Sequence, residues 1–592
     1  MKGSARAFVL PCLLACLCLC PAAQSRSATV AARPDSAKFD GPAELPRVYM
    51  KTSLADTPAP GKVRLVKGGE KLQDAIDSAN CGDTLELEAG AVFKGPILLP
   101  KKHCDDARWI VIRTSAADAL PPEGTRLTPC YAGVASLPGR PDFHCASTKN
   151  VMAKIEFAGA GGSGPIFFDD GANHYRFIGI EITRDAPGVT LVDLIGPKGQ
   201  VPADHIIFDR VWAHGTAHDD TRRGLFMSGT TYMAVVDSFF SDFHCAALGN
   251  CGDSQTISGA AGDLPMGPFK IVNNFLEASG ENILFGGAAA TSTPADIEIR
   301  HNYLFKPALW MAGAPGFVGG NNGKPFVVKN LFELKNAQRL LFEGNVLENA
   351  WGGFSQTGIA ILLTAKNPNN LCPRCLVTDI TVRYCRVSHV GGGLSVGNVP
   401  GEGGSTATAG ERYSIHDIVF DDIDGKKYNG FGVFLLLLSN TPALKDVKID
   451  HNTAVTPRVT INMGVKNGKM QNFIFTNNLL GAGEKQLTSS GGGPENCVFK
   501  PDRQTFAGVL NNCVSSYTVT KNVIIGGLGG WPDGNFFPKN VGDVGFEKNS
   551  DRLCHAKDAG CNGASKFAGA GSDGKDIGAD IGMIDTATKG VI

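Results

Sequence analysis

The sequence predicts an all-β protein, a single right-handed parallel β-helix (a solenoid) with an N-terminal capping helix. Three observations predict it. A short strand-like pattern recurs at near-fixed spacing, an amphipathic helix precedes the first strands, and helical spacing is weak everywhere else.

The recurring pattern is a β-branched or aromatic run, a polar residue that is often Asn, then two or three apolar residues. It stands out in His205-Ile-Ile-Phe-Asp-Arg-Val-Trp212, Ile297-Glu-Ile-Arg-His-Asn-Tyr-Leu304 and Phe473-Ile-Phe-Thr-Asn-Asn-Leu-Leu480. Aligned copies place Asn274, Asn302, Asn345, Asn452, Asn478 and Asn522 at equivalent points. Asn274 to Asn302 is 28 residues and Asn452 to Asn478 is 26, the length of one rung of a β-solenoid. Separations near 43 imply a rung carrying a longer loop. Runs alternating as V-x-I or F-x-F are strands with one inward face. The aligned Asn residues are expected to tolerate a left-handed turn and to hydrogen-bond to the Asn one rung above.

Ahead of the repeats, Glu70 to Ala79 reads as a helix with Leu72, Ala75, Ile76 and Ala79 on one stripe. A helix there would hide the open edge of a stacked sheet. Gly82 to Leu87 starts the first strand. The closing stretch of about 50 residues loses the pattern and is expected to form the second cap. The expected organisation is a signal peptide over 1–25, an extended segment or linker over 26–62, and the β-helix with its caps over 63–592. Lys2 and Arg6 precede the apolar run Phe8 to Cys20, with small residues for cleavage after Ser25. Leu13-Leu14-Ala15-Cys16 resembles a lipobox and gives the alternative of a lipid on Cys16. Either way the expected location is secreted or periplasmic, with no transmembrane segment.

Thirteen of the 17 Cys follow the signal. In an oxidising compartment they read as six local staples, Cys81/Cys104, Cys130/Cys145, Cys245/Cys251, Cys372/Cys375, Cys497/Cys513 and Cys554/Cys561, leaving Cys385 as a buried thiol. A formal net charge of -1 gives no electrostatic footprint for nucleic acid or an anionic membrane. With 43% hydrophobic and 19% charged residues, the chain can bury a large core. Gly, at 74 of 592 residues, has no collagen period and suits many tight corners.

The Leu72-Gln-Asp-Ala-Ile-Asp77 and Gly82-Asp-Thr-Leu-Glu-Leu87 opening, with the Asn-Asn-x-Leu rungs, resembles the pectate-lyase-like superfamily of right-handed parallel β-helices. Asp576-Ile-Gly-Ala-Asp580 is similar to the C-terminal end of many secreted bacterial members, and the resemblance spans nearly the whole mature chain. It implies a long groove for an extended polysaccharide, no organic cofactor and a monomer. It also implies either a lyase, which removes the proton beside a uronate carboxylate, or an inverting glycoside hydrolase. A glycan-binding solenoid without catalysis is the third reading. The polygalacturonase elements G-H-G and R-I-K and the pectate-lyase W-I-D-H strand are absent. Lyases acting on alginate or dermatan resemble the chain better, through Asn273-Asn274, Gly280-Glu281 and Arg300-His301. The Lys expected shortly after the Gly-Glu element is replaced by Phe285-Gly286-Gly287.

The lyase reading needs a cation or Arg on the substrate carboxylate and a base beside it, on neighbouring rungs about 5 Å apart. Asp253 and Glu281, 28 residues apart, are the candidate ligands for a hard cation such as Ca²⁺. Arg300, His301 and Lys306 are the candidate catalytic residues, with Arg300 gripping a carboxylate and Lys306 as base. Arg222 and Arg223 are candidates for an anionic subsite, and Trp310 and Trp351 for sugar-stacking platforms. Structural alternatives stand beside each: Asp253 capping a turn, Glu281 and Asn282 satisfying a corner, Arg300 paired with Glu298, Lys306 solvated, and the two Trp packed in loops. Glu333 and Lys335 share a strand face as an expected ion pair.

Overall fold

The computed structural model of the protein describes Met1 and residues 37–592, apart from 160–161, 186, 247–250, 355, 491–492, 501–502, 504, 557, 559–560 and 562. The expected signal, its cleavage point and the Cys16 alternative lie outside the described residues. The chain is mostly β, with long parallel sheets and few helices. One sheet has 25 strands and another 12, and every pairing within them is parallel. The chain visits them in turn. Asn173–Ile178 and Ile180–Arg184 lie in the long sheet, Leu191–Pro197 in the 12-stranded one, and Ala203–Asp209 in the long sheet again. Each rung therefore feeds both sheets, an arrangement consistent with a β-helix.

Register follows from hydrophobicity. In the 12-stranded sheet Ile195, Leu225, Ile257, Ile283, Phe332, Ile361, Leu394, Leu435 and Ile461 pair in succession, and none is exposed. A one-residue slip in any strand would turn that row to water, so the register is strongly specified.

The Asn ladder is present. Asn302 Oδ1 accepts from Asn274 N (2.9 Å) and Nδ2 (3.0 Å), and Asn345 Oδ1 does the same for Asn302. A second run links Asn452, Asn478, Asn522 and Asn535. The left-handed turn, however, falls one residue earlier than expected. Asn273, His301, Gly344, His451, Asn477 and Lys521 take positive φ, and the following Asn does not. The ladder Asn is spared the left-handed turn, and its amide reaches the next rung.

Helix α1 spans Leu72–Ser78, and Leu72, Ala75, Ile76 and Ala79 join the main core beside Val66 and Leu85. Two further helices, α2 (Phe506–Cys513) and α3 (Ile581–Ala587), lie in the closing region. Asp580 caps α3 by accepting from Met583 N (3.0 Å). All six expected disulfides form, and Cys385 is a buried free thiol. No helix among the described residues is long and apolar enough to cross a membrane.

Terminal segments lie across the long sheet. Asp40 meets Arg383 (2.7 Å) and Ser414 (2.9 Å), Arg47 N donates to Asp296, Lys270 donates to Met50 O, and Arg176 donates to Ser53 O. This N-terminal strap runs against the rung order. At the other end of the chain, Ala587 O faces His301 Nδ1 (3.1 Å) and Val591 O accepts from Arg126 (2.6 Å). Both straps use the long sheet. The charged cluster described next is on the other one.

Candidate active site

The 12-stranded sheet carries a polar row across four rungs, with Asp193, Arg223, Gln255 and Glu281 in register. Their side chains connect directly. Arg223 donates to Asp193 Oδ1 (2.7 Å) and to Gln255 Oε1 (3.3 Å), and Gln255 Nε2 donates to Glu281 Oε2 (2.9 Å). Glu333 follows in the strand Phe332–Leu334, where alternation buries Phe332 and Leu334 in the core and turns Glu333 to the other face. Its partner is Lys335, 2.8 Å away.

Lys329 closes the cluster. Its Nζ is 2.5 Å from Asp253 Oδ2 and 3.5 Å from Glu281 Oε1. The long loop between Phe305 and Phe332 brings it there, with Val327 N donating to Cys245 O and Lys329 N to Ser279 O. Asp253 and Glu281 both contact Lys329, so an ammonium lies between them where a hard cation was expected. Ca²⁺ takes six to eight oxygen ligands. Here Glu281 also holds the Gln255 amide and Asp253 the lysine, so the arrangement does not fit a Ca²⁺ cage.

The electrostatics divide the acids. Burial, and then the negative charge of Glu333, hold Glu281 above the ordinary carboxyl range. Burial also works against the Glu333 charge, but Lys335, with Lys329 and Glu281, outweighs it and Glu333 lies below that range. Burial opposes the charge on Lys329 too, yet Glu281 and Asp253 keep its proton held more tightly than usual. Glu281 Oε1 and Glu333 Oε2 are buried with no hydrogen-bond donor. Burial, and then the neighbouring Arg223, lower Arg222, whose Nε donates to Asp253 O (3.4 Å). Arg222 is half-buried and shows no ion pair among the described residues. The Arg223 guanidinium lies over the Phe226 ring at 4.6 Å.

Lys306 sits behind this surface. It is wholly buried, donating to Ala278 O (2.8 Å), Gly280 O and Asn282 Oδ1 (3.0 Å). Burial lowers its ammonium to about 7. A lysine saturated by three oxygens beneath the Ser279–Asn282 turn fixes Glu281 in place; it does not face a substrate. Gly280 serves the same end, because a Cβ there would lie 2.2 Å from Ser254 O.

The remaining candidates are placed otherwise than expected. Arg300 and His301 lie in and just after a strand of the long sheet, away from the Glu281 row. Arg300 is held by Glu298 (3.2 Å) and Glu343 (2.8 Å). Trp310, 1% exposed, packs edge-on to His244 and Phe326, and Trp351 is buried in the same cluster, so neither indole offers a face to a sugar ring. Lys329 and Gln255 escaped sequence reasoning. Counting back 26 residues from Glu281 finds Gln255, whereas Lys329 arrives on a loop that obeys no repeat.

No protein-family model matches the sequence, and neither does any curated protein. Solved structures do match. An alginate lyase from Paenibacillus sp. str. FPU-7 shares 10% identity over 81% of this chain and 98% of its own, with a TM-score of 0.28. The pectate lyase Pel9A shares 11% over 89% and 97%, with a TM-score of 0.30. A polygalacturonase from Erwinia carotovora ssp. carotovora shares 9% over 80% and 98%, with a TM-score of 0.31. All three are parallel β-helix proteins. The large parallel sheets of this chain are consistent with a β-helix. The chemistry has to be argued from the residues.

Proposed function

We propose that the chain is a secreted or periplasmic right-handed parallel β-helix, capped by α1, that cleaves a uronate-containing polysaccharide by β-elimination. The observation that carries this reading is the Asp253–Lys329–Glu281–Glu333 cluster with Arg222 beside it. In β-elimination the substrate carboxylate must be neutralised so that the proton next to it becomes acidic. Arg222 supplies that charge without a metal. Lys329 is the base: as the polysaccharide covers the site and expels water, the ammonium passes a proton to Glu281 across their 3.5 Å contact. Glu281 then hydrogen-bonds to Glu333, and the free amine takes the substrate proton. The double bond forms as the bond to the glycosidic oxygen breaks, that oxygen takes the proton from the Lys329 ammonium, and Glu281 then returns its proton to Lys329. Lys306 and Gly280 are positioning residues. Hydrolysis fits less well, because a hydrolase needs one acid free to protonate the leaving oxygen, whereas Glu281 is held by Gln255 and Lys329, and Glu333 by Lys335.

The test is incubation of the full chain with polygalacturonate, alginate and glycosaminoglycans, following the ultraviolet absorbance of unsaturated uronate ends. Absorbance is expected with one of them, unaffected by EDTA, and lost by about 10²-fold or more in Lys329→Ala and Arg222→Ala. Reducing ends without absorbance would replace this reading with hydrolysis. No product from any of them would leave a glycan-binding solenoid.

A further inference from the structure

The outward row of the 12-stranded sheet that holds Glu333 continues toward the N-terminal rungs. Phe167 pairs with Gly196, Phe226 with Ser258, Ser258 with Leu284, and Leu284 with Glu333. Gly196 joins the two stretches. It follows Ile195, the partner of Leu225, and a Cβ on it would lie 3.3 Å from Phe226 Cβ. Alternation turns this row outward, because Ile166, Phe168, Leu225 and Met227, on either side of the two Phe, belong to the core. Phe167 and Phe226 are only half-buried, and their strands lie two rungs apart, about 9.5 Å. An extended chain lying along the row from Glu333 therefore meets both rings.

Charge says what that chain is. A cation stands over each ring: the Arg223 guanidinium at 4.6 Å from the Phe226 centroid and Lys198 Nζ at 5.4 Å from that of Phe167. Arg223 is tied to Asp193 (2.7 Å) and Gln255 (3.3 Å), but Lys198 is exposed and makes no ion pair among the described residues. Paired ring and cation suit an acidic sugar, whose apolar C–H face packs on the ring while its carboxylate meets the ammonium. A neutral glycan would use the rings and have no use for the cations. Gly196, between the rings, has no left-handed backbone to explain a glycine, and it leaves the space between them free of a side chain.

We propose that Phe226 and Phe167 are successive sugar-stacking platforms of a binding groove that leads away from the Glu281 cluster, and that Lys198 holds the carboxylate of the sugar on Phe167. This rests on the reading of the cluster as a site for a uronate-containing polysaccharide. The two Phe take the part that the buried Trp310 and Trp351 cannot. They bind and orient the chain and touch no reacting atom.

Native electrophoresis of the full chain through gels containing alginate, polygalacturonate or hyaluronan, with dextran as the neutral control, reads binding apart from cleavage. Retardation is expected in at least one acidic polymer and not in dextran. In that polymer Phe167→Ala, Phe226→Ala and Lys198→Gln should each raise the apparent Kd about fivefold or more, with melting temperatures close to the parent's. Lys198 is exposed, so its variant tests the groove without risk to folding. Phe39→Ala, at a ring 58% exposed on the N-terminal strap, should bind as the parent does. Retardation of the parent, lost in the three variants, with no unsaturated product would sustain the groove and overturn β-elimination. Unsaturated product with parental affinity in all three variants would overturn the groove and leave β-elimination standing. Unretarded passage of the parent through every acidic gel would also overturn the groove.

Discussion

At the scale of single residues, the candidate active site depends on how closely two rungs approach at Glu281. Gly280 gives way to Ser254 O, and Lys306 ties down the carbonyls of Ala278 and of Gly280 itself. A methyl group at 280 must displace that backbone, since 2.2 Å is far inside van der Waals contact. Gly280→Ala should therefore cost about 1–3 kcal/mol in urea unfolding and lower activity through a misplaced Glu281. Glu281→Gln keeps the shape and removes the proton acceptor. It should leave stability within about 1 kcal/mol and cut kcat by about 10²-fold or more, read as KM unchanged with kcat reduced. Comparable loss of activity in an unfolded Glu281→Gln protein would show a structural role only. The residue pattern made Asp253, Glu281 and the Glu333–Lys335 pair visible beforehand. It assigned Lys306 to the surface, because nothing in a sequence reports that three backbone and amide oxygens converge on one ammonium.

At the scale of elements, the Asn ladders are the internal spine of the long sheet. Asn302 accepts from Asn274 and donates to Ile271 O and to Asn345 Oδ1, all buried. Asn302→Ala would leave these groups unpaired, each costing about 1–3 kcal/mol. A loss of several degrees in melting temperature is expected, larger than for Asn535→Ala, which removes a ladder end near the surface. Equal effects at the two positions would mean that the ladder is incidental to stability. The ladder's period was legible in the sequence because an inward polar residue breaks an apolar run at a fixed place. The displacement of the left-handed residue by one position was not, since Asn fills both the left-handed place (Asn273, Asn477) and the ladder place after it, and His301, His451 or Lys521 fills the left-handed place elsewhere. Their backbone is set by the corner between strands.

On the scale of the whole molecule, the N-terminal strap is anchored by charge. Burial opposes a charge on His416, but hydrogen bonds and attraction from Asp40 and Asp417 raise it to about 9. Burial likewise opposes the Asp40 charge, and His416 and Arg383 carry its carboxyl well below the ordinary range. For a raised histidine the stabilisation is complete below its ordinary value of 6.5 and is lost as pH rises through about 9. For a depressed carboxyl it is complete above the ordinary value of 3.8 and is lost as pH falls further. The strap should stay docked between those limits and loosen above about pH 9, at a cost on the order of 3 kcal/mol shared by the one ion pair. Hydrogen-exchange protection over residues 39–50, corrected for the base-catalysed intrinsic rate, should fall between about pH 7 and pH 10. His416→Asn should remove that pH dependence. Protection that falls equally in the variant would show that His416 is not the group responsible.

What the sequence determined by itself was local and periodic: strands, rung length, the Asn spine, the stripe of α1 and six cysteine pairs close along the chain. Those features obey spacing, and spacing is written in one dimension. Tertiary structure decided which faces meet. It put Arg300 and His301 on one sheet and Glu281 on the other, and buried both tryptophans. It delivered Lys329 through an irregular loop to the place between Asp253 and Glu281. Side chains that meet across rungs or loops are fixed by packing and register, which no stretch of sequence specifies alone.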